Sequence, residues 1–148
     1  MREGLRATAR TAATPAAGSD SAVRLVLPVR AELWVLARMS ASALATRLDF
    51  SLDAVDDLRL AIDELCNSCA AGAEPASVLC LDYSWDDDSL HVSCAVEPVA
   101  DGPPSPGAAV SLGLSAAILE ALVDEHEIGP VVDGRRLGWL TKRRPMES

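Results

Sequence analysis

Five polar side chains recur at four-residue steps in the middle of the chain, a spacing that could support chemistry. Arg59, Asp63 and Asn67 form one row, and Glu64 and Ser68 form a second row beside it. Because side chains four residues apart share one face of an α-helix, a helix here would present both rows to one side. A carboxylate so placed could position a water molecule, and an amide oxygen could hold magnesium. The same spacing also describes the solvated side of an ordinary amphipathic helix, so both interpretations stand at this point.

A helix that begins near residue 51 must position these two rows. Ser51 is a suitable N-cap, and the aspartates that follow it suit the positive end of the helix dipole. The apolar residues of the segment follow a 3-4-3-4 rhythm, namely Val55, Leu58, Ile62, Leu65 and Cys69. This rhythm predicts that the helix lies against a flat apolar layer and ends near Gly72.

Alternating apolar residues predict the sheet that forms this layer. The predicted strands are residues 22–29, a hairpin over 78–85 and 90–96, and a second hairpin over 127–132 and 136–142 around the turn Asp133-Gly134. Together with the helices, this order favours an α/β (α+β) two-layer sandwich. We expect a mixed, mostly antiparallel five-stranded sheet with three helices on one face.

Two further helices are predicted, over residues 31–48 and 112–124, and an irregular proline-rich segment runs over 97–110. The first of these helices is expected to bury Leu33, Leu36, Ala37, Ser40 and Leu44. Arg38 and Arg47 would then face water. A loop as long as residues 97–110 is typical of a functional lid or a disordered insert.

The four cysteines are Cys66, Cys69, Cys80 and Cys94. They lie in apolar or small-residue patterns, which favours buried, reduced thiols. A zinc site is the alternative, because Cys66 and Cys69 form a C-x-x-C pair, although such pairs usually come from turns rather than from a helix. If Trp85 pairs with Ser89 in the hairpin, Cys80 falls opposite Cys94, and a redox-sensitive pair is a further alternative.

Composition limits the classes of partner. The 148-residue chain has 22 acidic and 13 basic residues and a net charge of −9, which repels nucleic acid and anionic membranes. No apolar run approaches the roughly 20 residues that span a bilayer, and no signal-peptide core is present, so we expect a cytoplasmic protein. Residues 1–21 predict a disordered tail, with a transit peptide as the alternative. One domain is expected over 22–143, followed by a short tail over 144–148.

The amino-acid sequence of the helix after Ser51 resembles that of a known protein family. Residues 55–67 read VDDLRLAIDELCN, which is similar to the N-box helix of RsbW-type anti-sigma factors, relatives of serine-protein kinases in the histidine-kinase-like ATPase superfamily. Leu112, Gly113 and Leu114 resemble the glycine box that follows the ATP lid of that family. The resemblance covers about residues 22–143 and implies the histidine-kinase-like ATPase fold. Departures from the family's motifs resemble a divergent actinobacterial branch.

The resemblance implies roles for the polar rows. In this family a glutamate of the N-box helix activates water or a serine hydroxyl, and an asparagine four residues later binds magnesium. Glu64 matches the glutamate and would be catalytic, but the residue four later is Ser68. If the register shifts by one residue, Asp63 and Asn67 form the pair, and Asn67 is the metal ligand.

The resemblance also implies a nucleotide pocket whose motifs are incomplete. The nearest counterpart of the adenine-reading motif is Asp101-Gly102, and no D-x-G-x-G is present. The glycine box keeps Gly113 but has Ser111 where the family has a glycine that lets phosphate approach. Thr141 on the last strand would meet the adenine side. The cofactors that this implies are ATP and magnesium.

Three functions remain open on the sequence alone. The first is an anti-sigma factor that binds an alternative sigma factor and is released by an anti-anti-sigma protein; homodimers, common in the family, are also implied. The second is an ATP- and magnesium-dependent serine kinase that phosphorylates that antagonist, with Glu64 as base. The third is a scaffold in another complex that uses the first helix and Trp34, although we expect Trp34 to be a core residue.

Overall fold

A computed structural model describes residues 22–74, 76–98, 112–132 and 135–145. In chain order the elements are β1 (Ala22–Pro28), a 3-10 turn (Ala31–Leu33), α1 (Trp34–Arg47), α2 (Leu52–Ala70), β2 (Val78–Trp85), β3 (Ser89–Glu97), α3 (Leu112–Leu122), β4 (Glu125–Ile128) and β5 (Leu137–Arg143). The predicted two-layer sandwich of five strands and three helices is confirmed. The predicted tail over 1–21 and most of the predicted irregular segment lie outside the described residues. Within the described ranges, no helix is long and apolar enough to cross a membrane.

The five strands form one sheet in the order β1-β2-β3-β5-β4. All four pairings between these strands are antiparallel. The prediction was a mixed, mostly antiparallel sheet, and the described part of the chain forms an entirely antiparallel one. Alternate residues of a strand point to opposite faces, and the buried set on the two central hairpin strands faces the helices. That set is Leu79, Leu81, Tyr83, Leu90, Val92, Cys94 and Val96.

Helix α2 lies over the sheet as its apolar rhythm predicts. The Ser51 hydroxyl accepts a hydrogen bond from the Ala54 backbone N–H at 3.1 Å, which confirms the N-cap. Leu58, Ile62, Leu65 and Cys69 are all buried. Gly138 of β5 permits this close contact, because a Cβ there would lie 2.9 Å from Cys69 Sγ and 2.9 Å from Leu65 Cδ1. The opposite side of α2 is thereby turned away from the sheet.

Helix α1 buries only part of the stripe that was predicted. Its buried residues are Trp34, Ala37, Ala41 and Ala45, whereas Leu36 is 42% exposed. Alanines let the helix backbone approach the core closely, and the hydroxyl of the buried Tyr83 donates to the Ala37 carbonyl at 3.0 Å. The prediction is confirmed for Ala37, and Leu33 and Leu44 pack against the core while partly buried. It was wrong for Leu36, because close packing favours small side chains on the face of α1 that meets the core.

The β2–β3 register also differs from the predicted one. Trp85 pairs with Leu90 rather than with Ser89, so Cys80 lies opposite Ala95 and not opposite Cys94. A shift of one residue sends a side chain to the other face of the sheet. Cys94 is therefore buried under the helices, where burial raises the pKa of its thiol well above the usual value, and Cys80 is half-buried on the opposite face.

The predicted buried thiols are confirmed for Cys66, Cys69 and Cys94, and the prediction was wrong for Cys80. The proposed Cys80–Cys94 pair is excluded because the two side chains lie on opposite faces of the sheet. In the part of the chain that the structure describes, no cluster of three metal-ligating side chains is placed to hold an ion.

Candidate functional site

A groove runs between α2 and α3 on the side where the polar rows were predicted. It has a volume of about 410 Å³. From α2 it is lined by Leu60, Asp63, Glu64 and Asn67, and from α3 by Ile118, Ala121 and Leu122. Three of the predicted site residues thus share one cleft, whose α3 wall is apolar.

Glu64 is the half-buried carboxylate of this groove. Its Oε2 accepts a hydrogen bond from the Ser115 hydroxyl at 3.3 Å. Ser115 belongs to the first half of α3 and is buried, so it holds Glu64 from the opposite wall. A carboxylate held in this way could accept a proton from a hydroxyl or a water molecule that enters the groove.

Asp63 is engaged by α1. The Arg38 guanidinium donates to Asp63 Oδ1 at 2.5 Å, and the two side chains are 29% and 36% exposed. Arg38 was predicted to face water, but α1 turns it towards α2. The negative charge of Asp63 is therefore largely balanced by a cation of the same chain.

Asn67 is engaged as well. The indole N–H of Trp34 donates to Asn67 Oδ1 at 2.8 Å. Trp34 is 4% exposed, which confirms it as a core residue. Because Trp34 uses the amide oxygen, the predicted metal-binding atom of Asn67 already has a partner.

The sequence positions of these four residues are sufficient to predict both contacts. Trp34 and Asn67 are equally distant along the sequence from the link between α1 and α2, and so are Arg38 and Asp63. Two antiparallel helices joined by a short link bring such residues together. The contact between Ser115 and Glu64 has no comparable signal, because it joins elements far apart in the sequence.

Comparison with known proteins identifies the family of the chain. No family model matches the chain. The protein named Anti-sigma-F factor RsbW, from the CDC 1551 / Oshkosh and H37Rv strains of Mycobacterium tuberculosis, is 32% identical to the chain over 133 residues. The matched part covers 86% of this chain and 76% of the relative. The chain belongs to the RsbW family of anti-sigma factors.

The other residues that the RsbW resemblance singled out are dispersed. Ser68 is buried on α2 and does not line the groove. Gly113 lies at the start of α3, where a Cβ would meet nothing within 4 Å among the described residues, so packing against them does not require glycine there. Asp101 and Gly102 lie outside the described residues.

Thr141 lies away from the groove of this RsbW-family chain. It follows the fully buried Leu140 on β5, so its side chain points to the sheet face opposite the helices. There its hydroxyl is 2.7 Å from Nδ1 of His91. The structure therefore does not bring Thr141 together with Glu64, because the prediction did not consider which face of β5 the residue occupies.

Among the described residues, the predicted magnesium ligand, Asn67 Oδ1, is already engaged in this arrangement. Magnesium requires near-octahedral oxygen ligands, of which a protein usually supplies one or two carboxylates. Asn67 Oδ1 accepts from Trp34, and Asp63 is paired with Arg38. Glu64, predicted to be catalytic, is the third polar side chain of the groove, and its described partner is the Ser115 hydroxyl.

Proposed function

We propose that this chain is an anti-sigma factor that binds and inhibits an alternative sigma factor and is released by an anti-anti-sigma protein. Its membership of the RsbW family supports this role, since the relatives that it matches are named as anti-sigma factors. The role requires a surface for a protein partner. It also locates the chain in the cytoplasm, where transcription takes place.

The observation that carries the proposal is an exposed apolar patch on the helical layer. Val35, Leu36 and Met39 lie on one face of α1 and are 38%, 42% and 62% exposed. Leu60 of α2 is 59% exposed. It shares a groove of about 260 Å³ with Arg38, the neighbour of Met39. We call these four residues the α1–α2 patch, and exposed apolar residues on two packed helices favour a protein interface.

The surroundings of the α1–α2 patch fit a protein interface. Arg38, Asp56, Arg59 and Asp63 line the groove beside Leu60, so an apolar centre borders on charged side chains, as in most protein interfaces. A sigma factor carries basic DNA-reading surfaces, and the net charge of −9 would accelerate its association with this chain.

The direct test is capture of a sigma factor by the full chain. The purified protein is immobilised and offered each alternative sigma factor of its host, with the housekeeping sigma factor as control. One alternative sigma factor is expected to bind and to lose transcription activity when the chain is added. Binding to none of them, or equal binding to the housekeeping factor, would refute the proposal.

The serine-kinase alternative is less well supported. A phosphoryl transfer needs a metal ion to hold and neutralise the phosphates, and the described Asp63 and Asn67 side chains are occupied by Arg38 and Trp34. Glu64 and Ser115 remain as a polar pair that could orient a ligand in the groove. We therefore propose that partner binding does not depend on nucleotide chemistry and that the ATP pocket is degenerate.

Calorimetry with ATP and magnesium distinguishes the anti-sigma function from the serine-kinase function. We expect no magnesium-dependent heat of binding from the wild-type chain. If ATP binds in a magnesium-dependent manner and Glu64→Ala and Asn67→Ala both weaken it, the kinase function is the better one. Phosphorylation of the anti-anti-sigma antagonist by the wild-type chain would also support the kinase function.

A further inference from the structure

Arg136, the residue just before β5, is a buried cation that has no acidic partner among the described residues. It is 9% exposed. Arg24, Arg38, Arg59 and Arg143 each lie within 4 Å of a carboxylate, and all are more exposed. Burial of a charge is costly unless the charge is paired, and an arginine cannot lose its proton to avoid that cost. Arg136 is the most buried of these five arginines, and it has no counter-charge among the described residues.

One contact of Arg136 has a structural explanation. Its Nη1 donates to the Ser68 carbonyl at 2.9 Å. This carbonyl is in the last turn of α2, where helix carbonyls lack intrahelical partners and the helix dipole is negative. The contact accounts for one nitrogen of the guanidinium, but Nε is buried and has no partner in the described structure.

The orientation of Ser68 supports the same site. A serine inside a helix commonly donates to the carbonyl four residues earlier. In this chain Ser40 donates to the Leu36 carbonyl at 2.9 Å, and Ser42 donates to the Arg38 carbonyl at 2.8 Å. Ser68 does not: it is 2% exposed, and its hydroxyl has no partner in the part of the chain that the structure describes. Two unpaired buried polar atoms thus belong to two residues that contact one another.

The geometry points to an oxyanion subsite formed by Arg136 and Ser68, and we propose that it holds a phosphate group. Since Nη1 is used by Ser68, the free edge of the guanidinium is the Nε–Nη2 fork, which binds two oxygens of one anion. The Ser68 hydroxyl adds a third donor. Three donors suit a tetrahedral phosphate with three available oxygens better than a planar carboxylate with two.

This subsite does not depend on the anti-sigma role, because it involves no residue of the α1–α2 patch. Phosphate binding and sigma-factor capture can therefore fail separately. The phosphate could be the free ion or part of a nucleotide, and both sources share the chemistry that the fork recognises. The subsite needs neither Asn67 nor a magnesium ion.

The test is titration of the full chain with inorganic phosphate, AMP and ATP, without divalent metal, at constant ionic strength set with sodium chloride. Binding is followed by calorimetry and by the phosphorus NMR linewidth. We expect at least one phosphate compound to bind, Arg136→Met to raise its Kd by about tenfold or more, and Ser68→Ala to raise it by roughly three- to tenfold. Binding of inorganic phosphate alone identifies the free ion as ligand, and tighter binding of AMP or ATP identifies a nucleotide phosphate.

Arg144→Met is the matched control. Arg144 also donates from Nη1 to a carbonyl at a helix end, that of Leu48 at 3.1 Å, but it is exposed. The Arg144→Met substitution should leave the Kd for the phosphate compound unchanged. If Arg136→Met does not fold, Arg136→Lys, which keeps the charge and loses the fork, and Ser68→Ala provide the same comparison. Absence of binding by all three compounds, or equal binding by wild type and the Arg136 and Ser68 variants, would overturn the proposal and leave buried water as the partner of these atoms.

Discussion

Met39→Asp is expected to weaken binding of the cognate sigma factor by roughly 10- to 100-fold. Met39 is the most exposed residue of the α1–α2 patch, at 62%. A carboxylate at the centre of an apolar interface would lose its water without gaining a partner, which costs binding free energy. Because Met39 makes little contact within the folded chain, the stability of the chain should change little. The Kd is measured by titration of the labelled sigma factor with wild type and variant.

Leu52→Asp is the control for this prediction. Leu52 opens α2 and is 84% exposed, so the substitution adds the same charge to another exposed apolar position of the helical layer. It is expected to change the Kd by less than about threefold. Equal losses in the two variants would mean that added negative charge, and not the α1–α2 patch, determines the affinity.

Trp34→Ala is expected to lower the free energy of unfolding by about 3–5 kcal/mol. The substitution leaves a large cavity, because Trp34 is almost fully buried, and it removes the hydrogen bond to Asn67. Trp34→Phe keeps most of the ring and loses the indole N–H, so it should cost less. Urea unfolding of both variants gives the two values.

The hydrogen-bond part of this effect is isolated by a double-mutant cycle. Trp34→Phe and Asn67→Ala are combined, and a coupling of about 0.5–1.5 kcal/mol is expected for a hydrogen bond that is partly exposed to water. Trp85→Ala is the control for loss of a tryptophan, since Trp85 is only half-buried at the end of β2, and it should cost less than Trp34→Ala. A smaller loss for Trp34→Ala than for Trp85→Ala would contradict the central position of Trp34.

The features of the fold that depend on local sequence could be predicted. Ser51 was identified as an N-cap because its side chain acts on a backbone N–H three residues away. The 3-4-3-4 rhythm of α2 and the alternation of β2 and β3 were sufficient to place those elements. In these cases the physical cause lies within a few residues of its effect.

The features that depend on packing between distant elements were missed. The alanine stripe of α1 follows from how closely the helix can approach the core, which hydrophobicity does not report. The face on which Thr141 lies follows from strand register, and one residue reverses it. The burial of Arg136 depends on where β5 begins beneath the end of α2. Glu64, Asp63 and Asn67 were predicted to share a cleft and do so, but their partners Ser115, Arg38 and Trp34 were not foreseen.

The register of the β2–β3 hairpin makes the chain convenient for spectroscopic labelling. Of its four thiols, Cys80 alone is not buried, so a maleimide dye would attach at one position without prior mutagenesis. Burial and the nearby Glu97 carboxylate raise the pKa of the Cys80 thiol, and coupling would therefore be faster at mildly alkaline pH. The dye would sit on the far side of the sheet from the helices, where it could report on complex formation without obstructing it.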